Sequence, residues 1–244
     1  FFGNLSAYSL TPVDNAQAAP SAEFSVPAPP LVLTRGQRTR IKVFNHLKQA
    51  TAIHWHGIEL ESISDGVVGW GGHATSITPS IEPGGFFVAE LTPPRAGTFI
   101  YHSHFDDVTQ LRRGMFGALI VLEPGERLDP EHERIFVISS GPGRAEPLRL
   151  NGSPTPGSMQ LKKDETYRFR LINITANTSR IAVRLSAGDQ VLSWRAIAKD
   201  GAALPPALAR MQPAHQTVTV GETRDFEFTP DKTGEFSLSL INQR

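Results

Sequence analysis

The sequence predicts an all-β protein of two antiparallel domains, each a sandwich or a barrel, and three observations carry the prediction. Short runs with alternating apolar positions recur from Leu31 to the C-terminus, Gly- and Pro-rich clusters such as "TRGQ", "EPGG" and "PPRAG" punctuate them, and almost no stretch has helical periodicity. A chain of 244 residues is long enough to bury a substantial core, and two domains of about 110 residues is the expected division.

Taken in order, residues 1–30 carry Pro, Ala and Ser without a period and end in "SVPAPP", the composition of an arm or linker. Residues 31–124 form the first expected domain, with strands at "LVLT", "RIKVFN", "TAIHWHGIEL", "FFVAEL", "TFIYHSH" and "GALIVLE" and a helical turn or two at "DDVTQLRRG". The polar segment "EPGERLDPEHER" contains the expected linker, residues 125–135. Residues 136–244 then supply a second strand series from "IFVISS" to "FSLSLIN". The halves resemble each other as a weak internal repeat. "RGQRTRIKVFN", ending at Asn45, matches "KKDETYRFRLIN", ending at Asn173; "PPRAGTFIYHSH" matches "TPDKTGEFSLSLIN" through Gly97 and Gly234.

Composition narrows the function. Twenty-four basic and 24 acidic residues cancel, and no run of one sign appears, which argues against nucleic acid, an anionic membrane or a polyacidic substrate as partner. The absence of cysteine excludes disulfides, thiolate nucleophiles, zinc-thiolate clusters and a sulfur ligand to copper. No apolar run approaches the roughly 20 residues of a membrane span, and the start "FFGNLSAYSL", without methionine, points to a processed or trimmed, soluble product.

The histidines carry the chemistry. Eight histidines in 244 positions would give about 0.26 His-x-His pairs by chance, yet two are present, His54/His56 and His102/His104. On a strand, residues i and i+2 share a face about 6.6–6.8 Å apart, so each pair projects to one side, with Trp55 opposite. If the two strands are neighbours at about 4.8 Å, four imidazoles converge on one small volume, a donor set suited to copper or zinc. One such pair alone is more often surface or satisfied core; two pairs in matching contexts favour a metal. His46, His132 and His215 have no paired neighbour and read as structural or solvated. His73, in "GWGGHATS", reads as an exposed loop residue. Met115 reads as packing, Arg113 as shaping the return into "GALIV", and the sequons at Asn4, Asn151, Asn173 and Asn177 as short patterns with a high false-positive rate.

"HWHG" at 54–57, "DGVVG" at 65–69, "EPGG" at 82–85 and "GTFIYHSH" running into "QLRRGMFGALIV" resemble the N-terminal copper motifs of laccase-like multicopper oxidases. The resemblance implies two cupredoxin-like Greek-key β-sandwiches and copper as cofactor. It makes His54 a ligand of the type 2 copper and His56, His102 and His104 ligands of the type 3 pair. It also makes Asp65 an acidic residue near the trinuclear cluster that helps deliver protons while dioxygen is reduced, although Asp-Gly is equally a turn signal. Export to the periplasm or outside the cell follows from the same resemblance.

The chain departs from the family pattern in two ways. It supplies half of the cluster histidines, and it lacks the cysteine of the type 1 copper that receives electrons from a small reducing substrate. The repeat-equivalent positions of the second half are Ala182, Arg184, Ser239 and Ile241, none a ligand of the kind required. Three readings follow: a portion of an oxidase whose remaining ligands come from a second polypeptide, a homo- or hetero-oligomer or a missing segment; a copper-binding module for delivery, storage or resistance; or a structural protein with relic histidines.

Overall fold

A computed structural model describes residues 8–11, 25–141, 143, 146–176 and 180–243. Most of the expected arm and the sequons at Asn4 and Asn177 lie outside these residues. The chain divides into two compact units, Phe1–Glu126 and Arg127–Arg244.

In the first unit the main strands are β1 (Ala28–Thr34), β2 (Thr39–Phe44), β3 (Ile53–His56), β4 (Phe86–Leu91), β5 (Gly97–Ser103) and β6 (Phe116–Leu122). One sheet has the order β1-β6-β5-β3, and β2 pairs with β4 in the other. Period-2 alternation sends Trp55, Ala89, Leu91, Phe99, Tyr101, Leu119 and Val121 into one buried cluster. β1 begins three residues earlier than the sequence suggested, inside the expected arm. Pro29 and Pro30 cannot donate to a ladder, and they are accommodated because β1 is an edge strand whose register shifts between Ala28 and Leu31. β1 also runs parallel to β6, an exception to the antiparallel pattern. Upstream, Tyr8 donates its backbone N–H to Arg113 O at 2.7 Å and packs with Leu10 against the core. The expected helical turn is a π-helical turn at Asp107–Leu111, capped by Asp106 accepting from Thr109 N at 3.2 Å.

The second unit contains β7 (Glu133–Ser139), β8 (Tyr167–Asn173), β9 (Arg180–Ala187), β10 (Ser193–Lys199), β11 (His215–Thr219), β12 (Thr223–Phe228) and β13 (Ser237–Asn242). One sheet follows β7-β8-β12-β10; in the other, β9 pairs with both β11 and β13. Here too the opening strand pairs in parallel, β7 with β8. Phe136, Phe169, Leu171, Val183, Trp194, Val218 and Phe226 form the core, with Trp194 stacked on Phe226 at 4.1 Å. On β8 the alternate positions Arg168 and Arg170 face away from this core. Arg170 is 1% exposed; its Nε donates to Glu133 Oε2 at 2.7 Å and its Nη1 to Asp225 Oδ2 at 3.1 Å. Arg168 Nε donates to that same oxygen at 3.0 Å.

The internal repeat has a structural basis. Asn45 N donates to Gly85 O and Asn45 O accepts from Gly84 N; Asn173 N donates to Glu222 O and Asn173 O accepts from Gly221 N. Both amide side chains are used locally, Asn45 Nδ2 to Ile81 O at 2.7 Å and Asn173 Nδ2 to Val218 O at 2.8 Å. Asn173 is thus fully buried, and Asn151 likewise spends its amide on Val137 N and Ile135 O, so neither sequon presents a free side chain. The strands that bear the histidine motifs, β3 and β5, correspond to β9 and β13, with a two-residue slip. His54 pairs with His102, and His104 N donates to Ala52 O; Ala182 pairs with Ile241, and Gln243 N donates to Arg180 O. Spatially, His102 and His104 therefore correspond to Ile241 and Gln243, rather than to Ser239 and Ile241.

His132, on the connector, is held within the second unit. Its Nδ1 lies 2.7 Å from Asp129 Oδ2, its Nε2 lies 3.2 Å from Glu165 Oε2, and its ring stacks on Tyr167 at 5.5 Å. The hydrogen bond to Asp129, opposed by burial and reinforced by Glu165, raises its pKa above the usual imidazole value. A raised folded-state pKa adds stability that is fully present below the unfolded value near 6.5 and is lost as pH rises through the folded value. His132→Asn is therefore expected to lower the melting temperature at pH 5.5 more than at pH 8.5. Equal losses at both pH values would show that the ion pairs contribute nothing.

Candidate metal centre

β3 is short because the chain turns at Gly57, leaving Ile53 and Trp55 buried and His54 and His56 half-buried on the opposite face. β5 supplies His102, which is buried, and His104 follows directly after its end. Because β3 and β5 are hydrogen-bonded neighbours with His54 opposite His102, the two sequence pairs meet. The His54 ring lies 5.4 Å from that of His56 and 5.3 Å from those of both His102 and His104. One ligating nitrogen from each of His54, His56 and His102 falls within 4.8 Å of the others. His104 lies outside that tightest set, its ring 5.9 Å from His102 and its Nδ1 3.9 Å from Asp107 Oδ1.

Hydrogen bonds fix the tautomers. His54 Nδ1 is 2.8 Å from the carbonyl of Asp65, an acceptor only, so Nδ1 carries the proton and Nε2 the lone pair. His102 Nδ1 does the same with Ser103 O at 2.7 Å, and its Nε2 points at His56 Nδ1, 3.5 Å away. Burial, opposed by the bond to Ser103 and reinforced by the neighbouring imidazoles, pulls the His102 pKa down to about 3. His102 is therefore neutral at physiological pH, the form in which an imidazole binds a metal.

Asp65 closes a 3-10 turn at Ser62–Asp65. Its carboxylate stands 3.3 Å from His54 Nδ1, and it is one-third exposed. The turn reading and the functional reading of Asp65 are thus compatible: Gly66, at φ +81°, lets the chain pass so close to β3 that the backbone carbonyl of Asp65 reaches His54. Met115 is buried in the core, as its packing role requires, and His46, His73 and His215 are exposed.

Sequence reading missed the polar brace behind the histidines. Gln110, in the π-helical turn, is fully buried and accepts from Thr51 Oγ1 at 2.7 Å and from Ser103 Oγ, while its Nε2 donates to Ala50 O at 2.9 Å. The signal was Ser103 itself. Flanked by two same-face histidines, it points into the core, where a hydroxyl requires a partner.

The donor set fits copper: imidazoles in a compact group, of which His54 and His102 have Nδ1 hydrogen-bonded to a backbone carbonyl. The multicopper oxidase family model matches residues 6–126, which hold the whole histidine cluster. Multicopper oxidase CTB12 of Cercospora beticola is 38% identical over 116 residues, 46% of this chain and 16% of its own length. Laccase-10 of Oryza sativa subsp. japonica is 26% identical over 207 residues, 71% of this chain and 34% of its own length. The chain thus spans well under half of these curated relatives. Among solved structures, the blue copper oxidase from Nitrosomonas europaea superimposes with a TM-score of 0.73 at 25% identity, covering 88% of this chain and 70% of that one. Residues 6–126, with their paired histidine motifs, belong to the multicopper oxidase family, whose cofactor is copper, and the two cupredoxin-like sandwiches share the fold of its solved members.

Proposed function

We propose that this chain supplies half of the trinuclear copper cluster of a laccase-like oxidase, with His54 on the type 2 copper and His56, His102 and His104 on the type 3 pair. The observation that carries the reading is the convergence of His54, His56 and His102 on a volume less than 5 Å across, on adjacent strands. Copper held there would pass to dioxygen, for its reduction to water, the electrons taken from a reducing substrate at a type 1 copper outside this chain. The chain's own residues present the imidazoles and hold the orientation of His54 and His102 through the carbonyls of Asp65 and Ser103. Asp65 holds His54 through its backbone carbonyl, and its partly exposed carboxylate helps to deliver protons while dioxygen is reduced. A second polypeptide or a further domain carrying cysteine and histidine completes the centre, and the assembled protein works in the periplasm or outside the cell. Among the described residues no helix is long and apolar enough to cross a membrane.

The purified chain, reconstituted with copper and passed through a desalting column, is expected to retain stoichiometric copper, and His54→Ala or His102→Ala to lose it. A wild-type chain that retains none overturns the reading. The absence of cysteine favours one alternative, a copper-binding module without oxidase activity. Dioxygen uptake separates the two. On the oxidase reading it appears when a cysteine-bearing cupredoxin partner is added to the copper-loaded chain; on the module reading it never does.

A further inference from the structure

We propose that Gln110 is a positioning residue for the histidine cluster, a brace that sets the spacing between the two histidine-bearing segments; the inference rests on the copper reading of that cluster. Three consecutive residues ahead of β3 each bond across to the second motif or to the turn behind it. Ala50 O accepts from Gln110 Nε2 at 2.9 Å, Thr51 Oγ1 donates to Gln110 Oε1 at 2.7 Å, and Ala52 O accepts from His104 N at 3.0 Å. Gln110 thus holds the approach to His54 and His56 with both ends of its amide. Its carbonyl oxygen simultaneously accepts from Ser103 Oγ, between His102 and His104. Ser103 transmits the constraint: its N–H donates to Met115 O at 2.9 Å, and its carbonyl takes the Nδ1 proton of His102.

A buried amide of this kind is costly unless satisfied, and apolar packing would fill the volume more cheaply. What an apolar side chain lacks is direction. Metal–ligand distances tolerate only about 0.2 Å, whereas apolar contacts between strands tolerate more, so a polar strut between two ligand-bearing strands has a use that packing lacks. The π-helical turn is what brings Gln110 to this position, directly after the second motif.

The test compares the 244-residue chain with Gln110→Leu, Gln110→Glu and Ser103→Ala. Cu(II) affinity is measured by chelator competition, the bound ion by EPR, folding by circular dichroism, and the His102 tautomer in the metal-free protein by imidazole 15N NMR. Gln110→Leu is expected to fold, to bind Cu(II) ~10–100-fold more weakly and to shift both the EPR hyperfine splitting and the His102 Nδ1 signal. Gln110→Glu, which keeps both hydroxyl contacts, is expected to lie between Gln110→Leu and wild type. Ser103→Ala should add little to Gln110→Leu in the double variant, because both break one linkage. A folded Gln110→Leu with wild-type affinity, EPR and NMR signals overturns the proposal. If Gln110→Leu does not fold, wild-type spectra and affinity in both Gln110→Glu and Ser103→Ala overturn it. A wild-type chain that binds no copper, while the His102 signal still shifts in the variants, instead sinks the copper reading and leaves the brace standing.

Discussion

Gly66→Ala is expected to destabilise the first unit by about 3 kcal/mol or more and to weaken copper binding with it. Gly66 sits at φ +81°, where an L side chain is strained, and a Cβ there would lie 1.8 Å from the backbone oxygen of Ile53. Neither group can give way cheaply. Ile53 O belongs to β3, and moving β3 displaces His54, while moving Gly66 drags away the Asp65 carbonyl that holds His54 Nδ1. Gly69 provides the control: its φ is +77°, but a Cβ there meets nothing within 4 Å. Gly69→Ala should cost only about 1–2 kcal/mol, the left-handed penalty alone, with copper affinity unchanged. Urea unfolding and chelator competition on both variants check this. Equal effects at the two glycines would mean that the close approach to β3 does not hold the site.

Arg170→Met is the second large effect, about 3–5 kcal/mol against the second unit. Arg170 and Asp225 are each 1% exposed and Glu133 is 14% exposed, so removing the guanidinium strips two carboxylates of their main counter-charge and gives Asp225 no water in its place. Arg168 still reaches Asp225 and softens the loss there; among the described residues Glu133 has no second cation at ion-pair distance. Asp225→Asn should therefore cost less in the Arg170→Met background than in the wild type. A loss below about 1 kcal/mol for Arg170→Met would show that the network is carried mainly by packing.

The pairing of the histidines was legible in the sequence because period 2 on a strand is rigid geometry. His54 and His56 had to share a face, as did His102 and His104, and only the adjacency of the two strands remained to be supplied. The strand runs were equally readable from alternation and turn chemistry. Pro29 and Pro30 misled because proline argues against a strand unless the strand is known to be an edge, and edges are set by tertiary pairing. Gln110 was hidden in "DDVTQLRRG", whose polar composition reads as an exposed turn; its burial depends on a π-helical turn that leaves no periodic trace over five residues. The dual position of Asp65 could not be read either, because it rests on the contact between Gly66 and β3.

The two-residue slip between β5 and β13 bears on any attempt to transplant the motif. An engineer aligning the halves by their glycines would install imidazoles at 182, 184, 239 and 241. The strand pairing instead asks for 182, 184, 241 and 243, where Ala182, Arg184, Ile241 and Gln243 now stand. The second unit is in this sense a blank of the first: the same pair of strands, with the ligand positions left unwritten.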